Sequence, residues 1–251
     1  MNKKITIVLF SLLFASCAEL QPFIDQYAQT QTAPLTSTDV STGLKEALKV
    51  GSKNASNVLS LQDGFYKDEL VKILLPPEAQ SITKNINLIP GGEQLIEKVV
   101  VRLNRAAEDA VTEATPIFVA AITEMTIADA FGILKGEDNA ATLYLQNKTQ
   151  DKLKELFMPK VKASLDKKLI ANLSTNESWS LLTQNYNTVA GSFAGKLANL
   201  ETVNTELDAY VTDRALSALF LKVADEEKLI RKDPLKRVND ILKRVFGELD
   251  Q

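Results

Sequence analysis

Between residues 96 and 114 the apolar side chains Ile96, Val99, Leu103, Ala107, Ala110 and Ala114 recur at steps of three and four. That is the period of a helix, so the segment reads as one amphipathic helix whose continuous stripe must be buried. The stripe narrows from branched side chains to alanines, which lets its second half approach a neighbour closely. Composition favours helices as the covering elements, because aromatics make up only 6% and there are just 10 glycines and 8 prolines in 251 residues. A second segment, about 205 to 232, is apolar on most faces between Leu207 and Ala224 and is expected to be a buried central helix near the C-terminus. The expected fold is therefore all-α, a single multi-helix domain over 37–251, with at most one short extended segment.

That segment lies near 70–76, where Leu70 to Leu75 precede Pro76-Pro77 and show no evident pairing partner. Upstream of it, Leu44, Ala47, Leu48, Ala55, Val58 and Leu59 place a first helix from near Thr38, and Asp63-Gly64 marks a turn. Downstream, Pro77 opens a helix to about Leu88, and Pro90-Gly91-Gly92 ends it. Thr126 with Asp129 resembles a capping box for a short helix that Gly136 closes. Residues 139–172 read as two or three helices jointed at Thr149 and Pro159, and 174–176 as a linker before the helix of Trp179. Pro234 separates the central helix from a last one, Leu235 to Phe246.

The first residues have a different character. Met1 to Lys4 form a positive head, Ile5 to Phe14 an apolar stretch, and Ala15-Ser16 lead into Cys17. This is the layout of a secretory signal, too short to span a bilayer as a stable anchor. Phe14-Ala15-Ser16-Cys17 resembles the lipobox of bacterial lipoproteins, with Phe14 where that pattern prefers leucine. The resemblance implies cleavage after Ser16, before Cys17, and lipid attachment at Cys17. Ala18, in place of the aspartate associated with inner-membrane retention, favours the outer membrane. Residues 17–36 then form a lipidated N-terminus and tether, rich in Gln, Thr and Pro, with a reach of roughly 25 Å if flexible.

Several function classes are disfavoured by composition. There is no histidine and one cysteine, which removes histidine acid–base chemistry, serine–histidine triads, histidine-ligated metals and internal disulfides. Loss of the signal lowers the basic count from 29 to 27 against 32 acids, a net charge of −5 that argues against a nucleic-acid partner. Glu124, Asp129, Glu137 and Asp138 lack the alternating spacing of a calcium loop. No metal and no cofactor are expected.

The remaining candidates are a polar cluster of Asn104, Arg105, Glu108, Arg214, Glu227 and Arg231. Helical geometry puts Asn104 and Glu108 together beside the apolar stripe with Arg105 opposite. They read either as a groove-edge site with Glu108 as base or ligand anchor, or as a hydrogen-bonded set that fixes helix register, with Arg105–Asp109 a solvated pair. The second reading is preferred, because structural networks also hold such groups. Glu227 and Arg231, one turn apart, invite the same two readings. Arg214 falls on the stripe of Leu207, Val211, Ala218 and Leu221 and needs a partner if buried; an acid from the Asn104 helix is the candidate, and a structural ion pair is preferred to a ligand-binding arginine. Lys228 to Arg244 carries seven basic and two acidic residues, enough for weak attraction to an anionic membrane surface, and a solvated helix face explains the run as well.

Gly43 to Leu48, Val71 to Pro76, Leu103 to Ala110, Met125 to Gly136, Tyr210-Val211-Thr212, Glu226 to Pro234 and Val245-Phe246-Gly247 together resemble a bacterial family known only as domain of unknown function 4197. Coverage runs from about Leu35 to Gly247. The resemblance implies a helical domain in the cell envelope and supplies no catalytic residues. The first expectation is thus a non-catalytic lipoprotein, anchored to the outer membrane and facing the periplasm, that binds an envelope protein or organises an assembly. A carrier of an acyl chain or lipid in an interhelical pocket is the alternative. A carboxylate-based hydrolase is the second, and it needs a pair of acids facing one cleft that the spacing does not show.

Overall fold

The computed structural model describes residues 34–250 apart from Pro90 and Ala171. The expected signal, Cys17 and most of the expected tether therefore lie outside the described residues. Among the described residues there is no β-strand, and the fold is all-α.

The chain opens with α1 (Ser37–Leu59), started by a capping box in which Thr36 and Asp39 satisfy each other's backbone amides. After an irregular stretch come the short α2 (Gln80–Lys84), then α3 (Gly92–Val111), α4 (Ala114–Glu124) and α5 (Ala130–Leu134). The long α6 (Ala140–Asp166) is followed by α7 (Thr175–Ala190), α8 (Phe193–Leu197), α9 (Leu207–Lys232) and α10 (Asp240–Phe246). A second capping box, Ser174 with Glu177, opens α7, so the expected linker at 174–176 is a helix start.

α9 lies between α1 and α6, which makes it the central helix expected from its apolar faces. It runs antiparallel to α1, since Asn54 bonds Glu226 while Glu46 bonds Asn239 beyond the helix end. Small residues permit the close approach. A Cβ on Gly43 would sit 2.7 Å from Val245 of α10. α3 packs between α6 and α7, and α4 covers α1 and α6. Leu103, Ala107 and Ala110 of its stripe are fully buried, while Ala114 belongs to α4.

Several expected boundaries are corrected. Residues 140–166 form one helix that passes through both Thr149 and Pro159. Pro159 and Glu155, whose carbonyl loses its usual donor, are both exposed, where solvent can take the place of the missing donor. Thr149 is buried and returns its hydroxyl to the Leu145 carbonyl at 2.6 Å. The Pro77 helix is split into 3₁₀ turns flanking α2. Asp129 alone caps α5, through the Gly132 amide, while the Thr126 carbonyl accepts from Tyr144. The last helix begins at Asp240, five residues later than expected, with Asn239 as its cap.

Candidate functional site

The predicted cluster is divided by the fold into two sets on different helices. On α3, Asn104 and Glu108 share a face as their spacing requires, and both are buried. Asn104 is the missing partner of the extended segment. Its Oδ1 accepts from the Ile73 amide at 2.9 Å and its Nδ2 donates to the Ile73 carbonyl at 2.8 Å and the Val100 carbonyl at 2.7 Å. One amide side chain thus supplies both hydrogen bonds that a neighbouring strand would have given Ile73.

Glu108 holds the same region one turn along. Its Oε1 accepts from the Phe65 amide at 3.2 Å, and its Oε2 from Arg105 at 2.6 Å. Arg105 bridges Glu108 to Asp63, so the expected Arg105–Asp109 pair does not form. Asp109 instead receives the Ser164 hydroxyl of α6 and Lys167 just past its end. Asp63 adopts a left-handed conformation, φ 71°, at the turn that the Asp-Gly pair predicted. Hydrogen bonds from Lys67 and then Arg105 hold its carboxyl below the ordinary 3.8. Gly64 is required next, since a Cβ would lie 2.6 Å from the Val58 carbonyl oxygen.

The α9 set serves helix ends. Glu227 accepts from the Ala141 and Thr142 amides at 3.0 and 2.7 Å, together with the Thr142 hydroxyl, at the start of α6. Its negative charge there complements the positive end of the helix dipole. Arg231 pairs with Glu227 at 2.7 Å and donates to the Leu134 and Ile133 carbonyls, where α5 ends. Both side chains are buried, at 1% and 3% exposure, with their polar atoms engaged. Arg237 closes α9 itself by donating to the Ile230 and Arg231 carbonyls and to Asp250.

Arg214 is placed elsewhere than expected. It is exposed, has no acid partner from α3, and forms no salt bridge among the described residues. The buried face of α9 runs instead through Val211, Ala215, Leu219 and Val223. Arg214 and Leu221 therefore stand outside the core, on a small hollow of about 220 Å³ shared with Leu70 and Val71. Leu70 and Leu74 are 74% and 58% exposed. The chain over 68–75 crosses α9 in the opposite sense, tied by Asp68–Lys222 at one end and by Tyr210 donating to the Leu74 carbonyl at the other.

Two features carried no clear sequence signal. Arg237 sits in a basic run that reads as solvated, yet it is buried. Asn187 brackets Val203 through both backbone groups at 2.9 Å, as Asn104 brackets Ile73. The wider hollows of about 400 to 580 Å³ are open surface grooves; the one beside Asn187 includes Trp179, Asn176 and Asp208. Among the described residues no three acidic or cysteine side chains are grouped to hold a metal ion, and no helix is long and apolar enough to cross a membrane.

A family model described as a protein of unknown function, DUF4197, matches residues 34–247. No curated protein and no solved structure matches the chain.

Proposed function

The chain belongs to the DUF4197 family, and we propose that this member is a non-catalytic lipoprotein of the bacterial envelope that binds a protein partner. Its anchor is the lipid on Cys17, which holds it to the outer membrane facing the periplasm. The binding surface is the hollow between the 68–75 segment and α9. The observation that carries this reading is the conjunction, in one hollow, of exposed Leu70 and Leu221 with an arginine that has no salt bridge among the described residues, and exposed Leu74 follows in the same segment. Isolated exposed leucines are ordinary, but several beside one uncompensated cation match the apolar centre and arginine anchor of many interfaces. The chemistry fits a partner segment that presents an apolar side chain and a carboxylate. Catalysis is disfavoured because Asn104, Glu108, Glu227 and Arg231 already spend their polar atoms on backbone and on each other.

The test is photocrosslinking in the native envelope, with a photoreactive residue placed at Leu70 or Leu221, and at Leu181 on α7 as a distant exposed control. Discrete protein adducts at the first two positions, absent at the third and lost with Arg214→Glu, are the expected result. No adducts, or equal adducts at all three, would refute the surface. The anchor is tested separately: Cys17→Ser should abolish lipid incorporation and release the protein from the membrane fraction.

A further inference from the structure

The most exposed large apolar side chain among the described residues is Leu235, at 90%, and Val238 three positions on is 67% exposed. Both lie on the turn between α9 and α10, and that turn is braced from inside. Asp233 accepts the Leu235 amide at 2.9 Å, and the 3₁₀ turn Pro234–Lys236 follows. Arg237 then folds inward onto the Ile230 and Arg231 carbonyls and onto Asp250. With Arg237 buried at 3%, its neighbours Lys236 and Val238 stand out in solvent. Two aliphatic side chains are thus presented on a rigid tip, where loss of conformational entropy on binding is small.

Lysines flank the turn in sequence, with Asp233 and Asp240 among them. Lys232 and Lys243 are exposed and paired at the surface with Asp138 and Asp240, while Lys228 and Lys236 form no salt bridge among the described residues. An apolar tip with Lys236 on it and Lys228 one to two turns back along α9, neither in a salt bridge among the described residues, suits the boundary of a lipid bilayer, with aliphatic groups below the headgroups and ammonium groups among them.

The position of the tip points to the same partner. Asn239 of the turn bonds Glu46, while Arg244 and Val245 of α10 meet Asp39 and Gly43 at the start of α1. The turn thus lies roughly 15 Å along α1 from residues 34–36, where the chain enters the domain after a preceding stretch that contains Cys17, within the reach of such a tether. The groove at 214–221, by contrast, lies around the middle of α9, roughly 16–27 Å along the helix from its end at Lys232.

We propose that the turn 234–239 is a second membrane contact. Leu235 and Val238 enter an anionic lipid surface, and the lysines hold the domain there. One acyl-type attachment fixes a tethered protein only in distance, whereas a tether plus this turn fixes its orientation. The inference does not depend on the partner groove, and its test removes the lipid.

Cys17→Ser leaves the full chain without a thiol. Leu235→Cys in that background can therefore carry a single environment-sensitive fluorophore, and Leu181→Cys serves as the control. The probes are vesicles of phosphatidylcholine with a quarter phosphatidylglycerol. The expected result is a blue shift with quenching by brominated acyl chains at 235 and neither at 181. Without any label, the Leu235→Ser/Val238→Ser double variant should partition onto these vesicles about tenfold less than its parent. Both side chains are solvent-exposed, so these variants keep the fold, which circular dichroism checks. No shift at 235, equal shifts at 235 and 181, or an equal response on pure phosphatidylcholine would overturn the proposal.

Discussion

On α3, Asn104, Arg105 and Glu108 reach outward to a stretch of chain without regular structure, whereas on α9, Glu227 and Arg231 reach the ends of two helices. The residue types are alike, and Asn104 and Glu108 are as buried as the α9 pair, but the ion pairs differ. Glu227 and Arg231 are 1% and 3% exposed, while Arg105 and its partner Asp63 in the turn retain 18% and 22%. The α9 set joins α5, α6 and α9, so its loss should be felt throughout the domain. The α3 set holds the 63–75 segment onto the body and, through it, one wall of the proposed groove. Its loss should be local.

Glu227→Ala makes the largest test of that contrast. It leaves the Arg231 guanidinium buried beside no carboxylate and strips two α6 amides of their acceptor. The expected cost is about 3–5 kcal/mol, a fall in Tm on the order of 10 °C for a domain of this size. Glu227→Gln retains an acceptor and should cost less. Thermal unfolding followed by circular dichroism measures both, and a Glu227→Ala protein that melts with its parent would break the comparison.

Asn104→Ala comes next, at about 2–3 kcal/mol, since it orphans a buried amide and carbonyl at Ile73. Hydrogen exchange should show the distinction more sharply than Tm. The Ile73 amide should lose protection while amides in α9 keep theirs. Uniform loss across the domain would mean that the segment is integral to the core, and the local role would be abandoned. Asn187→Ala sharpens the point further. It removes the same paired hydrogen bonds from Val203 at a half-buried site, where water can replace them, so about 1 kcal/mol is expected.

How far the sequence anticipated these sets follows from what periodicity encodes. It encodes which residues share a helix face, so the pairing of Asn104 with Glu108 and of Glu227 with Arg231 was legible. It does not encode partners that belong to irregular backbone. The Ile73 amide lies 31 residues before Asn104, and no pattern links them. Arg214 was misplaced for a related reason: α9 is apolar on so many faces that the period alone does not choose its buried side, and packing against α1 and α6 does. Pro159 misled in the opposite direction, because a breaker on a solvent face costs a helix little when 27 residues of packing hold it.

The smallest effect belongs to Asp63, and it is read from pH. Its pKa is held below 3.8 by Lys67 and Arg105, so folding favours the ionised form. A carboxylate shifted down contributes stability that is fully present above its unfolded pKa and disappears as pH falls through the folded one. Asp63→Asn keeps the turn geometry, because asparagine also tolerates the left-handed φ of 71°, and removes the charge. Other carboxylates with lowered pKa, Asp68 and Asp138 among them, make both proteins lose stability in acid, so only the difference between them isolates Asp63. In urea titrations that difference should be constant from neutral pH to about 5 and shrink toward zero as the pH drops below 3.8. A gap that persists unchanged into strong acid would assign the Asp63 contribution to turn geometry, and Arg105 would then serve Glu108 alone.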